Sequence, residues 1–147
     1  MRIKPIETDY NGFRFRSRLE ARWAIFFDEL GIEYTYEQEG YEIATGAWYL
    51  PDFHLDGCWV EVKHKNDDDP DAVEKMGLLV AGLDEPGAIV YGDPYDHLAV
   101  LFLPHFLTPG YVRQVADFTN LDPTFKASLK ARRARFEHGG SYATASI

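Results

Sequence analysis

Residues 50–63 read LPDFHLDGCWVEVK, which is two strand-like runs on either side of Asp56-Gly57. An Asp-Gly pair between alternating apolar and polar residues is a strong signal for a two-residue β-hairpin turn, of type I′ by composition. Counting outward from that turn fixes the register of the two strands. The predicted pairs are Leu55 with Cys58, His54 with Trp59, Phe53 with Val60, and Asp52 with Glu61.

Side chains alternate between the two faces of a strand, so the register also predicts what each face of the hairpin carries. One face is wholly apolar: Pro51, Phe53, Leu55, Cys58, Val60 and Val62. The other face carries Asp52, His54, Trp59, Glu61 and Lys63. Directly opposed carboxylates, with Cβ atoms about 5 Å apart, repel one another. A divalent cation such as Mg²⁺ or Mn²⁺, which prefers oxygen ligands, would offset that repulsion, whereas Lys63 would neutralise only part of the charge.

A helix is predicted before this hairpin. Ser17 and Glu20 have the spacing of a capping box, with Ser17 as the N-cap. Gly31 has the position of a helix C-terminal glycine. Between them, apolar residues recur at helical spacing: Leu19, Trp23, Phe26, Phe27 and Leu30. Upstream, Asn11-Gly12 predicts a second tight turn, between two short strands.

The remaining elements follow from hydrophobic periodicity. They are strands at 33–38, 41–44, 48–55 and 58–64, a helix from Pro70 to about Ala81, strands at 88–91 and 98–103, a short helix at 110–118, and a helix at 123–136 before a frayed end. This order predicts an α/β fold with a mixed sheet flanked by helices. We expect one domain over 1–147, with a core at about 13–103 and a C-terminal helical extension at about 110–137.

Charge is distributed unevenly along the chain. Its 147 residues carry a formal net charge of −9, which argues against a nucleic-acid binder because phosphate contacts need Lys and Arg. Basic residues nevertheless cluster at 126–135 and around Glu20, and either cluster could instead be a solvated face. The cluster around Glu20 consists of Arg14, Arg16, Arg18 and Arg22.

Two further features of composition bear on the cellular location. The single cysteine, Cys58, excludes an intramolecular disulfide framework and a cysteine-rich zinc site. No apolar run approaches the roughly 20 residues that a membrane helix needs. We therefore expect a cytoplasmic protein that does not engage a membrane.

Three motifs together resemble the PD-(D/E)xK nuclease superfamily: Glu20 on the first helix, Pro51-Asp52, and Glu61-Val62-Lys63. The resemblance covers roughly residues 13–92 and is closest to small phage-encoded and Holliday-junction-resolvase-like members. It implies a restriction-endonuclease-like core, αβββαβ, and a DNA endonuclease of a phage or mobile element that hydrolyses phosphodiester bonds with Mg²⁺ or Mn²⁺. If the protein is phage-encoded, its expected location is the host-cell cytoplasm. Selectivity for branched or nicked DNA is expected on the same basis, as is a homodimer if both strands are cut.

The resemblance also implies a role for each matched residue. Asp52 and Glu61 would be the principal metal ligands, and the backbone carbonyl of Val62 would complete the site. Lys63 would orient or deprotonate the attacking water and stabilise charge on the phosphate. A bound cation would lower the pKa of Lys63, since like charges disfavour the protonated amine. Glu20 would bind a second metal ion or a metal-bound water, unless it is only the acid of the capping box.

The other polar and aromatic residues have competing interpretations. The four arginines around Glu20 would contact the DNA backbone without reading its sequence. His54 is expected at the rim of the site or against DNA, and His64 is expected to be structural. Trp59 either shields the site, stacks on a base, or is a packed aromatic. The acids at 67–71 lack the glycine and terminal glutamate of a calcium loop, which indicates a solvated loop and a helix N-terminus.

Two other functions are compatible with the sequence. A non-catalytic protein of the same fold could bind a basic protein partner through its acidic surface. An exonuclease of the related recombination type is disfavoured, because the helix at 73–81 lacks that group's Gln-x-x-x-Tyr. No glycine-rich phosphate loop is evident, so no nucleotide cofactor is expected. The intact set of Asp52, Glu61 and Lys63 favours catalysis over the non-catalytic alternative.

Overall fold

A computed structural model describes residues 5–104, 111–119, 135–136 and 142–143. The chain divides into two compact units. The first consists of Met1–Ile32, Asp93–Asp96 and Thr119–Ile147, and the second of Glu33–Gly92 and His97–Phe118. Over the described residues the fold is α/β, with two helices and a mostly antiparallel main sheet. None of the helices in these residues is long and apolar enough to cross a membrane.

The described elements are twelve strands and two helices. In the first unit, strands β1 (Thr8–Tyr10) and β2 (Phe13–Phe15) precede helix α1 (Arg18–Glu29). The next strands are β3 (Tyr34–Tyr36), β4 (Tyr41–Glu42), β5 (Trp48–Tyr49), β6 (Phe53–Leu55) and β7 (Cys58–Lys63). Helix α2 (Pro70–Leu83) is followed by β8 (Gly87–Asp93), β9 (Asp96–Pro104), β10 (Tyr111–Thr119), β11 (Arg135–Phe136) and β12 (Tyr142–Ala143).

The first unit confirms the predicted turn and helix. Strands β1 and β2 pair antiparallel, and Asn11 and Gly12 both have positive φ, of 50° and 80°, as a type I′ turn requires. Ser17 caps α1 by accepting the Glu20 N–H at 3.1 Å. Gly31 lies just beyond the helix with φ of 70°, a conformation that glycine adopts without steric cost.

The second unit is built on a six-stranded sheet in the order β10-β9-β8-β7-β6-β3. Strands β3, β6 and β7 are antiparallel neighbours, whereas β7 and β8 are parallel. A parallel pair needs a crossover connection, and α2 supplies it. Strands β8 and β9 are joined by two residues, a length that only an antiparallel pair allows. Separately, β4 and β5 form a short antiparallel pair.

Helix α2 packs its apolar side into the core of the second unit. Met76 and Val80 are fully buried, in one cluster with Ile89 on β8 and Phe102 on β9. The helix lies so close to β8 that a Cβ added at Gly87 would be 2.6 Å from the Met76 sulfur. This packing fixes α2, and hence its N-terminus, against the face of the sheet that carries Ile89.

Three predicted elements differ from the structure. The expected strand at 48–55 is two separate strands, β5 and β6, because Pro51 lacks the N–H that a continuous ladder would use. The segment predicted as a helix at 110–118 is strand β10, which pairs with β9. Its β-branched and aromatic residues favour a strand once a free sheet edge is available. Of the helix predicted at 123–136, residues 135–136 are strand β11 and the others lie outside the described residues.

Candidate active site

The β6–β7 hairpin has the predicted register. Leu55 pairs with Cys58, His54 with Trp59 and Phe53 with Val60. The His54 and Trp59 rings stack at 4.0 Å, so both lie on one face of the hairpin. Continuing the same alternation places Asp52, which immediately precedes β6, on that face with Glu61 and Lys63.

The turn that sets this register is not the predicted type I′. Gly57 has φ of 75°, but Asp56 does not share a positive φ. A positive φ at the second turn position alone is typical of a type II turn. The register survives because the loop still contains two residues.

Asp52 is anchored by the backbone of the neighbouring strand. Its side chain is buried, and its Oδ2 accepts the N–H of Val62 at 2.8 Å. Asp52 lies between Pro51, which interrupts the strand, and the first residue of β6. At this end of the β6–β7 pairing, its carboxylate accepts the Val62 N–H. The contact fixes the carboxylate against the backbone of β7 at Val62.

Glu61 is held by a residue that the sequence analysis did not identify. Tyr49 donates its hydroxyl to Glu61 Oε2 at 2.6 Å, and both side chains are buried. Burial raises the pKa of Tyr49 most, and the charges of Glu61, Asp52 and Asp69 raise it further, so the phenol stays protonated. Three carboxylates therefore act electrostatically on one hydroxyl group, which brings Asp52 and Glu61 into a single negative environment.

Lys63 is paired at the N-terminus of α2. Its Nζ lies 3.3 Å from Oδ2 of Asp69, which is also the N-cap of that helix. Burial, the largest influence, lowers the pKa of Lys63, but attraction to Glu61 and the bond to Asp69 outweigh it and raise the pKa overall. The lowered pKa of Lys63 was expected only beside a bound cation. The protein's own residues raise that pKa instead, so Lys63 is protonated in this structure.

Glu37 is a second residue that the sequence analysis missed. Its backbone N–H donates to the Asp52 carbonyl at 2.8 Å, and a carboxylate oxygen of each residue lies within 4.8 Å of the other. The signal was present in the pattern of β3, since pairing Tyr36 with Phe53 makes Glu37 the next partner of Asp52. Finding it required the long-range pairing of β3 with β6.

The chemistry of this donor set fits a divalent cation. Asp52 and Glu61 are both buried, and the contacts described for them come from a neutral N–H and a neutral O–H. Burying charge without full compensation is costly, and two nearby carboxylates add repulsion. A carboxylate has about four acceptor positions, so hydrogen bonds of this kind are compatible with a bound cation. Hard oxygen donors of this kind suit Mg²⁺ or Mn²⁺.

Glu20 lies in the first unit, on α1. Its side chain is buried, its Oε2 accepts the Ser17 hydroxyl at 3.0 Å, and its N–H donates to the same hydroxyl. These contacts confirm the capping interaction between Ser17 and Glu20. A catalytic role for Glu20 stays a prediction.

The four arginines differ in their surroundings. Arg14 and Arg16 are both exposed, and Arg14 is engaged by Glu7 at 2.8 Å and Asp9 at 3.0 Å. Arg18 and Arg22 lie four residues apart on α1, and the Nε of Arg18 is buried without a hydrogen-bond partner among the described residues. Burial lowers the pKa of Arg22, and the charge of Arg18 lowers it further against the attraction of Asp93.

The structure distinguishes among the competing interpretations of the other polar and aromatic residues. Trp59 is a packed aromatic, buried against His54 and, edge-on, against Tyr41. His54 also lies 3.3 Å from the Glu85 carboxylate. His64 is exposed. The acidic run is an exposed loop at 67–68 leading into the α2 N-terminus, as predicted.

Comparison with known proteins adds no family assignment. No protein-family model matches the chain, and no curated protein matches it significantly.

Proposed function

We propose that this protein is a metal-dependent DNA endonuclease of the PD-(D/E)xK type, with its chemistry at Asp52, Glu61 and Lys63. The observation that carries the proposal is a buried pair of carboxylates, Asp52 and Glu61. The charges of both raise the pKa of the Tyr49 hydroxyl, and Glu61 also attracts the protonated amine of Lys63. The residues have the motif spacing of that superfamily and lie on one face of the hairpin.

Asp52, Glu61 and the backbone carbonyl of Val62 would hold the metal ion, with Glu37 as an additional acid beside Asp52. When bound, Mg²⁺ or Mn²⁺ activates a water molecule and neutralises charge on the scissile phosphate. The chain's own contribution is to fix the carboxylates before substrate arrives. The Val62 N–H orients Asp52, and the Tyr49 hydroxyl orients Glu61.

Lys63 serves this reaction as a cation. Asp69 positions the amine from the N-terminus of α2, with Nζ 3.3 Å from Oδ2. From there its proposed role is to stabilise the negative charge that develops on the phosphate.

DNA would be held through its phosphates by Arg16, Arg18 and Arg22. A phosphate oxygen would supply a partner for the buried Arg18 Nε, and it would relieve the repulsion between Arg18 and Arg22. Arg14 is already engaged by two acids, so a phosphate would have to compete with them there. Binding of this kind falls steeply as salt rises and is largely independent of sequence.

The test is a plasmid-nicking assay with Mg²⁺, with Mn²⁺ and with EDTA. We expect cutting that requires the metal, and a loss of at least about 100-fold in Lys63→Ala. Lys75→Ala is the matched control, because Lys75 forms an i,i+4 pair with Asp71 on α2, outside the proposed chemistry. Labelled junction, flap, nicked and single-stranded substrates then test the proposed selectivity for branched or nicked DNA.

Metal binding is measured separately by thermal unfolding. Mg²⁺ or Mn²⁺ should raise the melting temperature of the wild type by mass action and leave that of Asp52→Asn unchanged. If the protein binds metal but cuts none of these substrates, the proposed metal site is supported and the proposed nuclease activity is wrong. That result would favour the non-catalytic alternative.

A further inference from the structure

A pocket of about 220 Å³ opens in the second unit. It lies on the same face of the sheet as His54 and Trp59 and is built from β3, the segment after it, and the end of α2. Its charge and apolar surface come from Glu37, Glu39, Glu85, Tyr41, Trp59 and Leu83. The volume suits the end of one long side chain rather than a folded surface.

The lining carries negative charge that its own contacts only partly offset. Glu39 accepts the Tyr41 hydroxyl at 3.1 Å, and Glu85 lies 3.3 Å from His54. Neither Lys nor Arg is among the described residues that line the pocket. Burial raises the pKa of Tyr41, and Glu39 and then Glu85 raise it further, which shows that both carboxylates act on the same wall.

The other walls are apolar or aromatic. Leu83 is 38% exposed at the end of α2, although leucine is an apolar residue. Tyr41 packs edge-on against Trp59 at 5.4 Å. The Trp59 side chain is buried, and its indole Nε1 has no hydrogen-bond partner within the described part of the chain. A ligand that combines a cationic head with an aliphatic stem would therefore meet both the carboxylates and the apolar surface of the lining.

We propose that this pocket binds an arginine side chain presented by a basic polypeptide. The guanidinium group offers five donors in a plane, which suits several carboxylates at once. The stem would lie on Leu83 and Tyr41, as long cationic side chains do on apolar surface. Glu37 lines the pocket and is also the additional acid proposed beside Asp52, whereas Glu39 and Glu85 are not part of the proposed chemistry. Substituting Glu39 and Glu85 therefore tests this binding separately from the nuclease proposal.

A nucleic-acid base fits the same pocket poorly. His54 covers one face of Trp59, and only 5% of the tryptophan is exposed, so little ring surface is open for a base to stack on. The lining carboxylates would also repel the phosphates on either side of a base. The charge of the lining thus selects for a cation.

The test measures binding of a fluorescein-labelled octa-arginine peptide by anisotropy to the full-length protein. We expect the double variant Glu39→Gln/Glu85→Gln to weaken binding at least about tenfold, because it removes two of the carboxylates that line the pocket. The matched control is Glu33→Gln/Glu74→Gln, which removes the same charge at exposed positions outside the lining. It should change the dissociation constant by less than about twofold, since these carboxylates lie outside the pocket and their attraction over a longer distance is screened by salt.

Two further arms fix the identity of the ligand. Leu83→Ser should weaken binding of the peptide, and free arginine amide should bind far more weakly than the peptide. Equal losses in both double variants, no binding by the wild type, or equal affinity for free arginine amide would overturn the proposal. So would a single-stranded oligonucleotide whose binding depends on Glu39 and Glu85.

Discussion

The two faces of the β6–β7 hairpin are both buried, but they bury different chemistry. On one face the buried side chains are apolar: Phe53, Val60 and Val62. On the other face Glu61 and the neighbouring Asp52 are buried as carboxylates, each with a specific hydrogen-bond donor. Burying carbon stabilises a fold, whereas burying like charges opposes it. The first face therefore serves stability, and the second face, where Trp59 also packs into the core, is the one that carries the proposed chemistry.

The largest effect is expected on the apolar face. Phe53→Ala should lower the free energy of unfolding by about 3–5 kcal/mol, because Phe53 is fully buried and its removal leaves a cavity. Urea denaturation measures the loss, and Phe53→Leu is the control that keeps most of the volume. A loss below about 1 kcal/mol for Phe53→Ala would break the proposed division between the faces.

A smaller effect on the free energy of unfolding is expected on the polar face, where the Tyr49 hydroxyl donates to Glu61. Tyr49→Phe should cost about 1.5–3 kcal/mol, because it removes the donor to a buried, charged Glu61. Tyr41→Phe is matched to it, since Tyr41 donates to Glu39 in an exposed hydrogen bond. Chemical denaturation should show a clear loss in the first variant and little in the second. Equal losses would mean that Glu61 does not depend on this hydroxyl.

The charge of Asp52 is expected to oppose stability in the absence of metal. Asp52→Asn keeps an oxygen that can accept the Val62 N–H and removes one of two nearby negative charges. The free energy of unfolding in EDTA should therefore stay the same or rise, by up to about 1 kcal/mol. If the free energy of unfolding instead falls by about 2 kcal/mol or more, which is the effect of breaking a buried hydrogen bond, the charge of Asp52 stabilises the protein.

The smallest effect is expected at the ion pair of Lys63 with Asp69. Asp69→Asn keeps a good N-cap and removes the charge, so it should cost less than about 1 kcal/mol at neutral pH. Burial raises the pKa of Asp69, but the bond from Lys63 and the helix N–H groups outweigh it and lower the pKa overall.

The pH dependence of that effect has a definite sign. A carboxyl whose pKa is lower in the folded state stabilises the protein above its unfolded pKa, and the contribution disappears as pH falls through the folded pKa. The difference between wild type and Asp69→Asn should therefore be present at pH 7 and vanish in acid. A difference that grew on acidification would contradict the role of this ion pair.

Local signals in the sequence predicted the hairpin and both helices well. Asp56-Gly57 led to the correct register, and Ser17 and Pro70 lie where α1 and α2 begin. Each of these signals acts within a few residues of the chain. The turn type was nevertheless wrong, since a two-residue loop can be closed by more than one backbone conformation.

The parts that could not be predicted depend on distant pairing. Strand β10 forms against the edge of β9, and nothing within 110–118 alone reveals that edge. Glu37 comes beside Asp52 only through the pairing of β3 with β6. Tyr49 reaches Glu61 because Pro51 separates β5 from β6. Burial of the polar face likewise depends on where α2 packs, and the local periodicity of the sequence does not predict that position.

The three contacts that orient the acids and the lysine share a short span of sequence. Tyr49 and Glu61 are twelve residues apart, Asp52 and Val62 ten, and Lys63 and Asp69 six. Closing loops of this length costs little chain entropy, and contacts of low contact order form quickly. The constellation can therefore assemble early in folding, before the sheet acquires its outer strands.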